Sequence, residues 1–522
     1  MTSSPPPFLE VSRSIRPVAR PPISSSIVQP ELGGKHSGVG AGKAPLFAAI
    51  SLLLISGCTG PSVVITDDCV PITEAVLLRE TAGDPGRWSI GLVNEQLLFA
   101  YVSWSGAAED PAIARAQWFG ASLAPITEDF WLGNSRALPP FELAAHDGAL
   151  WAQIWAERVD MLSPVRRSIS AWRLVPGTIE PERFTPMLPI TAGLDRRLDL
   201  TPADIGASTV TAGVDGRAPA ALAFGRVVFA LNAWPSACST DTAIFRAILF
   251  DQAIGVADLN APDSCMVDDG SSDVHNHRLV PLRDGGLGVF FRRGAGIGQG
   301  FLHYSRVGPD LALLDSPPIR VDWTTYAWNL PGGFQPQAVA LGSGRLLFTN
   351  RDPESGYNLC QELRLVEPDG RSPRDAPYQL RCRAEAGALQ RGERSQTVSQ
   401  WVVVQPLAFG HAVIAYGERP NHDPAPFTRR VTSSVNWEEG VFLHTIDDEG
   451  RRASDIIRVT PPESTALLTP STPFTLDSGP IPGDYEVQAI TEGDDVVVAW
   501  RDTRPDAPGY YARRFRCTER PE

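Results

Sequence analysis

A phrase of β-strands that returns roughly every fifty to eighty residues constrains this chain more than any other feature of its sequence. Its second strand occurs seven times: QLLFAYVSW from Gln96, LWAQIWA from Leu150, RVVFALNAW from Arg226, GLGVFF from Gly286, RLLFTN from Arg345, AVIAY from Ala412 and DDVVVAW from Asp494. Turn residues precede several copies, at Asp147-Gly148, Asp284-Gly285, Gly342-Ser343-Gly344 and Glu492-Gly493-Asp494. Such residues supply the backbone freedom that a hairpin needs. A third strand follows each copy: IARAQWF from Ile113, RSISAWRL from Arg167, AIFRAILFD from Ala243, GFLHYSR from Gly300, LCQELRLV from Leu359, GVFLHTID from Gly440 and GYYARRF from Gly509. Apolar positions alternate or run continuously, and β-branched and aromatic residues dominate, so no stretch of comparable length reads as an amphipathic helix. The expectation is an all-β chain. Seven antiparallel four-stranded units at this spacing predict a seven-bladed β-propeller, whose radial packing leaves only short edges. The long intervals between the second and third and the sixth and seventh units leave six or eight blades open.

Asp494–Phe515, with VVVAWRDTRPDAPGYYARRF after two acids, and VFLHTIDDEGRRASDIIRVT at Val441–Thr460 resemble the blades of bacterial sialidase-like (BNR-type) propeller repeats. Two units match well and the others loosely. The resemblance implies a fold only, because one fold hosts many functions.

The last unit has no fourth strand of its own, since the chain ends soon after GYYARRF. The missing strand is expected from CVPITEAVLL, beginning at Cys69. In an antiparallel pair the end of the third strand lies beside the start of the fourth, which puts Cys517 next to Cys69. At the opposite end of a blade the start of the third strand meets the end of the fourth. That adjacency predicts Cys238 with Cys265 and Cys360 with Cys382, one of the 15 pairings six cysteines permit, at separations a disulfide tolerates.

The seventh cysteine, Cys58, ends a different motif. After Lys43 a short, mainly apolar run closes in Ile55-Ser56-Gly57-Cys58. The run is too short to span a bilayer, which takes about 20 apolar residues. A basic residue, a brief apolar stretch and small residues before a cleavage point make a secretory signal, and with cysteine first after the cut the motif resembles the lipobox of bacterial lipoproteins. That resemblance implies acylation of Cys58, cleavage before it by the lipoprotein-processing machinery, and attachment to a membrane, the outer membrane being favoured by Thr59 in place of aspartate. Export makes disulfides expected for the remaining cysteines. The expected organisation is a leader and signal at 1–57, the leader 1–42 being long and rich in Ser and Pro, a tether at 58–68, one propeller domain at 69–517 and a tail at 518–522. Removing the first 57 residues takes away five cations and two acids, moving the net charge from −14 to −17. This argues against a nucleic-acid partner, which needs a basic face.

In a propeller, the loops between second and third strands and between successive blades share one face, the usual ligand face. Charged residues recur where second strands end: Glu157-Arg158, Arg292-Arg293, Arg351-Asp352, Glu418-Arg419 and Arg501-Asp502. They would suit an anionic or sugar ligand, arginine being matched to planar carboxylates; the ordinary alternative is that they pair with neighbouring acids and solvate the rim. A sialidase-type reaction needs a Tyr/Glu nucleophile pair and an acid/base aspartate. Tyr510, Tyr511 and Glu418 are present by type but match no motif, and the paired carboxylates of glycoside hydrolysis are unplaced, so no catalytic residue is assigned. Asp273, His275 and His277 form the densest polar cluster, placed in an inter-blade loop. Alternate histidines on an extended segment face one side and would suit a divalent cation, but without a placed third ligand they equally make a solvated loop; no cofactor is called.

The reading is a lipid-anchored propeller of the cell envelope that binds or scaffolds an unidentified protein or glycan. A glycan hydrolase or lyase using the same face and a structural envelope component are the alternatives. A non-reducing peptide map of the membrane-extracted protein should show an acylated N-terminal Cys58 and links Cys69–Cys517, Cys238–Cys265 and Cys360–Cys382. An unmodified Cys58 would remove the anchor, and any other partner for Cys69 would remove the ring closure.

Overall fold

In the computed structural model the chain divides into residues 1–61 and 62–522. The structure describes residues 65–80, 88–103, 113–134, 143–156, 168–184, 220–233, 246–251, 256–258, 273–294, 301–309, 314–315, 319–321, 337–351, 361–369, 397–420, 440–461, 487–502 and 508–520. These residues are all-β. Strands β1 (Asp67–Pro71) and β2 (Val76–Glu80) come first. Seven antiparallel sheets then follow in chain order. The first holds β3 (Trp88–Val93), β4 (Gln96–Ser103), β5 (Ile113–Phe119) and β6 (Phe130–Asn134). The second holds β7 (Leu143–His146), β8 (Ala149–Ala156), β9 (Ser168–Leu174) and β10 (Glu182–Phe184). The third holds β11 (Ala220–Ala223), β12 (Arg226–Ala233), β13 (Arg246–Asp251) and β14 (Val256–Asp258). The fourth holds β15 (Asp273–Pro281), β16 (Leu287–Gly294), β17 (Phe301–Val307) and β18 (Ile319–Arg320). The fifth has three described strands, β19 (Ala338–Ala340), β20 (Leu346–Arg351) and β21 (Gln361–Val366). The sixth holds β22 (Thr397–Pro406), β23 (Ala412–Pro420), β24 (Gly440–Ile446) and β25 (Ile457–Arg458). The seventh holds β26 (Val487–Glu492), β27 (Asp495–Asp502) and β28 (Gly509–Glu519), with β1 and β2 both on the free edge of β28. All seven expected second strands are thus second strands of separate sheets.

The continuous apolar runs follow from burial on both faces of a sheet. In β27, Val496, Val498 and Trp500 pack with Val413, Ala415, Val441 and Leu443 of the sixth sheet. The alternate residues Val497 and Ala499 pack with Trp88, Ile90, Leu97 and Phe99 of the first. Because side chains of a strand alternate between faces, a strand sandwiched between two sheets has no polar face to show, and VVVAW is the result. Similar clusters join the fourth sheet to the fifth and the fifth to the sixth. The first strand of each sheet lies beside the first strand of the next in chain order, and β26 lies beside β3.

The hairpins between first and second strands all lie at one end of the sheets, here called the turn end. Asn94 and Glu95 both take left-handed backbone angles, as do Asp147 and Gly148, the conformation a two-residue hairpin requires. Neighbouring turns bond to one another: Phe224 N–H donates to the Gly285 carbonyl, Gly342 to Gly410 and Ala408 to Gly493. Gly342 and Gly410 approach so closely that a Cβ on Gly410 would stand 2.9 Å from the Cα of Gly342. Glu492 of the seventh sheet accepts from both N–H groups of the Asn94-Glu95 turn, at 2.7 Å each. Arg514, 2% exposed, donates to the carbonyls of Glu95 and Ala121 in the first sheet while pairing with Asp495 at 2.6 Å. Burial works against charge on Asp495, yet its hydrogen bonds from Arg514 and Arg516 hold its pKa below the ordinary value.

The chain's two ends meet in the seventh sheet. β1 pairs with β28 so that Cys69 faces Cys517, and the two form a disulfide. The stretch from Cys69 expected as one strand is two, with a break at Ile72–Ala75. Pro71 has no N–H to give the ladder, and the N–H groups of Ile72 and Thr73 both turn to the Arg514 carbonyl. Further contacts hold the entering strand: Thr66 and Asp67 N–H donate to the Ala453 carbonyl, Arg520 N–H donates to the Thr66 carbonyl, and Arg520 pairs with Asp68. The buried Asp67 carboxylate meets His411 Nδ1 at 2.9 Å. Burial opposes protonation of His411, but the hydrogen bond and charge of Asp67, aided by Asp447 and Glu519, raise its pKa above the ordinary value.

Cys238, Cys265, Cys360 and Cys382 lie outside the described residues, as does Cys58.

Two outcomes follow. Replacing Cys69 and Cys517 by serine reopens a loop of most of the chain and should cost about 2 to 5 kcal/mol, read as a lower denaturation midpoint in oxidising buffer with no change once wild type is reduced. The raised pKa of His411 means that its pairing with Asp67 stabilises fully below the ordinary histidine pKa and fades as pH rises through the folded value. Wild type should therefore lose stability as pH rises above the ordinary histidine pKa by more than His411→Gln does, in denaturation followed at each pH; parallel curves would contradict the pairing.

Candidate functional site

One cavity of about 240 Å³ is lined by the first strand of every sheet. Ser89 and Ile90 come from β3, Leu143 to Ala145 from β7, and Ala221 and Leu222 from β11. Arg278 to Pro281 come from β15, and Gln337 to Ala340 from β19 and the residue before it. Val403, Gln405 and Pro406 come from β22, and Gln488 to Ile490 from β26. Most of this lining is small or aliphatic.

Polar side chains concentrate at one level. Ser89, Arg278 and Gln488 pair with Ala100, Phe290 and Ala499, each four residues along from Gln96, Gly286 and Asp495 at the turn end. Gln337 directly precedes Ala338, which pairs with Phe348, and so falls at the same level. Ser89 and Gln337 are buried. Between this level and the turns the lining is Ile90, Ala489, Ala338 and Leu279, with Gln405 the one further amide among the described lining residues. A buried amide or guanidinium must be hydrogen-bonded to be tolerated, and Gln488 shows how: its Nε2 donates to the Trp88 carbonyl at 2.6 Å while its Oε1 accepts from Ile90 N–H at 3.2 Å. It ties β26 to β3 without closing the cavity.

The sequence-derived ligand face is the other end of the sheets, opposite the turns. There β16, β20, β23 and β27 stop, and the register puts Arg292, Arg351, Glu418 and Arg501 opposite Leu302, Gln361, Gly440 and Tyr510. These positions share one end, as expected. Side chains of Arg292, Arg351 and Glu418, and all of Arg158 and Asp352, lie outside the described residues. Arg501 is partly exposed and Asp502 is buried. Tyr510 is core: its ring packs at 5.3 Å on Trp88 and 5.1 Å on Phe99, while Tyr511 stacks on Trp500 at 5.8 Å.

The expected inter-blade loop at Asp273–His277 is corrected to strand. These residues begin β15, with Asp273, Val274 and His275 paired to Gly294, Arg293 and Arg292. A bulge between His275 and Arg278 breaks the register. β22 has a bulge at the matching place, between Gln400 and Val403. Among the described residues no three His, Cys, Asp or Glu side chains gather as a metal site; the side chains of Asp273, His275 and His277 lie outside them.

The polar ring escaped the sequence reading, which catalogued second and third strands. Its signal is nevertheless present, as a polar residue ahead of an apolar run in four of the seven first-strand segments, SIGLV, RLVPL, QAVAL and QAITE.

No family model matches the chain, and no curated protein matches it. Among solved structures it is similar to an α-L-arabinanase of Penicillium chrysogenum complexed with arabinobiose, with TM-score 0.39 and 10% identity over 66% of this chain and 93% of that one. It is similar to the β-propeller domain of the trilobed protease of Pyrococcus furiosus, with TM-score 0.38 and 8% identity over 82% and 96%. A protein of unknown function from Dyadobacter fermentans gives TM-score 0.35 and 11% identity over 88% and 100%. Likenesses this distant transfer no activity to this chain.

Gln488→Leu should cost about 1 to 3 kcal/mol, because it leaves the Trp88 carbonyl and Ile90 N–H without that partner; urea denaturation measures it, and an unchanged midpoint would show that the bridge contributes nothing.

Proposed function

We propose that the chain is an exported, lipid-anchored, seven-bladed β-propeller that binds a polar ligand at its central cavity and performs no chemistry on it. The observation that carries this reading is the convergence of all seven first strands on one cavity with Ser89, Arg278, Gln337 and Gln488 at a single level. The cyclic order of first strands and the pairing of β1 with β28 support a ring of seven blades closed by the N-terminal strand. Acylation of Cys58 and the links Cys238–Cys265 and Cys360–Cys382 belong to the same proposal, as does placement in the outer membrane. Amides and a guanidinium at the end of an apolar well suit a ligand with hydroxyl, amide or carboxylate groups, fixed by few polar contacts.

The competing hydrolase needs two carboxyl groups spaced about 5 to 9.5 Å apart across a scissile bond. The described cavity lining consists of aliphatic residues with serine, glutamines and arginine, a set suited to recognition.

The test is a panel of neutral and acidic oligosaccharides and short peptides offered to the detergent-extracted protein, with binding read by calorimetry and products by mass spectrometry. Saturable binding of an unaltered compound, weakened about tenfold or more by Arg278→Ala, equivalent to about 1.4 kcal/mol, is the expected result. Turnover of a glycan would establish the hydrolase instead, and binding that Arg278→Ala leaves unchanged would remove the cavity from the account.

A further inference from the structure

We propose that the turn end of the sheets faces the lipid bilayer and that the opposite end, where the charged strand termini gather, faces away from it. The inference rests on the acyl anchor at Cys58 proposed above, and adds an orientation that the anchor alone does not set.

The chain enters the body at the turn end. Asp67, the first residue of β1, pairs with Glu519 at the end of β28, and Asp495 at the turn-end start of β27 pairs with Arg516. Thr66 is fixed there as well, by backbone bonds to Ala453 and Arg520. Ala453 follows the turn after β24, at the same end, and its N–H donates to the Thr445 carbonyl. From Asp67 the entering strands run away from the turn end along β28, until Glu80 pairs with Gly509 at the far end. The anchor point is therefore a multiply bonded, part-buried Thr66 followed by the buried Asp67, at one end of the sheets.

Seven residues separate Cys58 from Thr66, and the eight steps of chain between them reach at most about 28 Å when fully extended. The flank of the seventh sheet follows the eleven residues of β28, about 35 Å in an extended strand. For the far end to rest on the bilayer, the tether would have to run back along the whole flank, and it is too short. With the turn end toward the lipid, the same tether spans the gap with slack. The proposal thus assigns two partners of different chemistry to two ends: a lipid surface beside the interlocked turns, and water-borne ligands at the end where Arg292, Arg351, Glu418 and Arg501 are placed.

Two exposed positions report on the two ends. Glu449 lies in the turn after β24, at the turn end, and Glu80 lies at the far end of β2; both are exposed. Glu449→Cys and Glu80→Cys, each made in the full chain, would be labelled with a maleimide fluorophore and reconstituted into vesicles bearing a headgroup quencher, with labelled wild type as background. The expected result is quenching at least threefold stronger from the Glu449 position. Equal or stronger quenching from the Glu80 position, in protein that floats with the vesicles and carries the acyl mass on Cys58, overturns the orientation and leaves the anchor standing. Wild type that lacks the acyl mass and fails to float overturns the anchor, and the orientation with it.

Discussion

The seventh sheet of this protein is apolar on both faces, and that constraint governs the rest. A sheet such as β26–β28 presents Val496, Val498 and Trp500 on one side and Val497 and Ala499 on the other, so it cannot stand alone in water. Burying one such side chain is worth roughly 1.5 to 3 kcal/mol, and it needs a neighbour on each side to be realised. A sheet with two neighbours passes the requirement on, and an end sheet would be left with one face wet. β26 packs against β3, so the seventh and first sheets are neighbours of this kind.

Apolar contact is non-directional and would tolerate sheets sliding over one another. Direction comes from a small set of polar groups at the sheet boundaries. Glu492 caps a turn of the next sheet, Gln488 clasps the backbone of β3, and Arg514 reaches two carbonyls across the boundary. All three sit in the seventh sheet and bond to the first. The disulfide joins β1 to β28 within the seventh sheet, and the Asp67–His411 pair ties that sheet to the sixth. Among the described residues, the boundary between the latest and earliest parts of the chain is thus pinned by named polar bonds, where the chain connection itself supplies no restraint.

The cavity follows from the same geometry. Seven first strands brought side by side leave a space between their edges, and what fills that space is decided by one residue per strand. At the level of Ser89, Arg278, Gln337 and Gln488 four of the strands supply a polar residue and β22 supplies Val403, while nearer the turns the lining is mostly small or aliphatic. A ligand meeting this well finds hydrogen-bonding groups from four strands at one level and its shape complement beyond it.

The seven second strands were legible because burial on both faces forces long apolar runs, and the closing pair Cys69–Cys517 because antiparallel pairing leaves one neighbour for each end. The third strands were legible from alternation, with buried and less buried residues exchanging along IARAQWF and GYYARRF. The first strands vary from the three residues of β19 to the ten of β22, and which of their residues share a level was not legible. Asp273–His277 looked like a loop because polar residues usually mark one; pairing with Arg292–Gly294 made it strand. Tyr510 was a candidate by chemical type, but type says nothing of burial, and its ring lies between Trp88 and Phe99. The sequence by itself determined the all-β class, the strand repeat and the partner of the first body cysteine, because these depend on local alternation and on pairing along the chain. Only the tertiary structure decided which polar residues meet at the cavity, since that meeting brings together strands up to about four hundred residues apart, whose side chains share a level through sheet register alone.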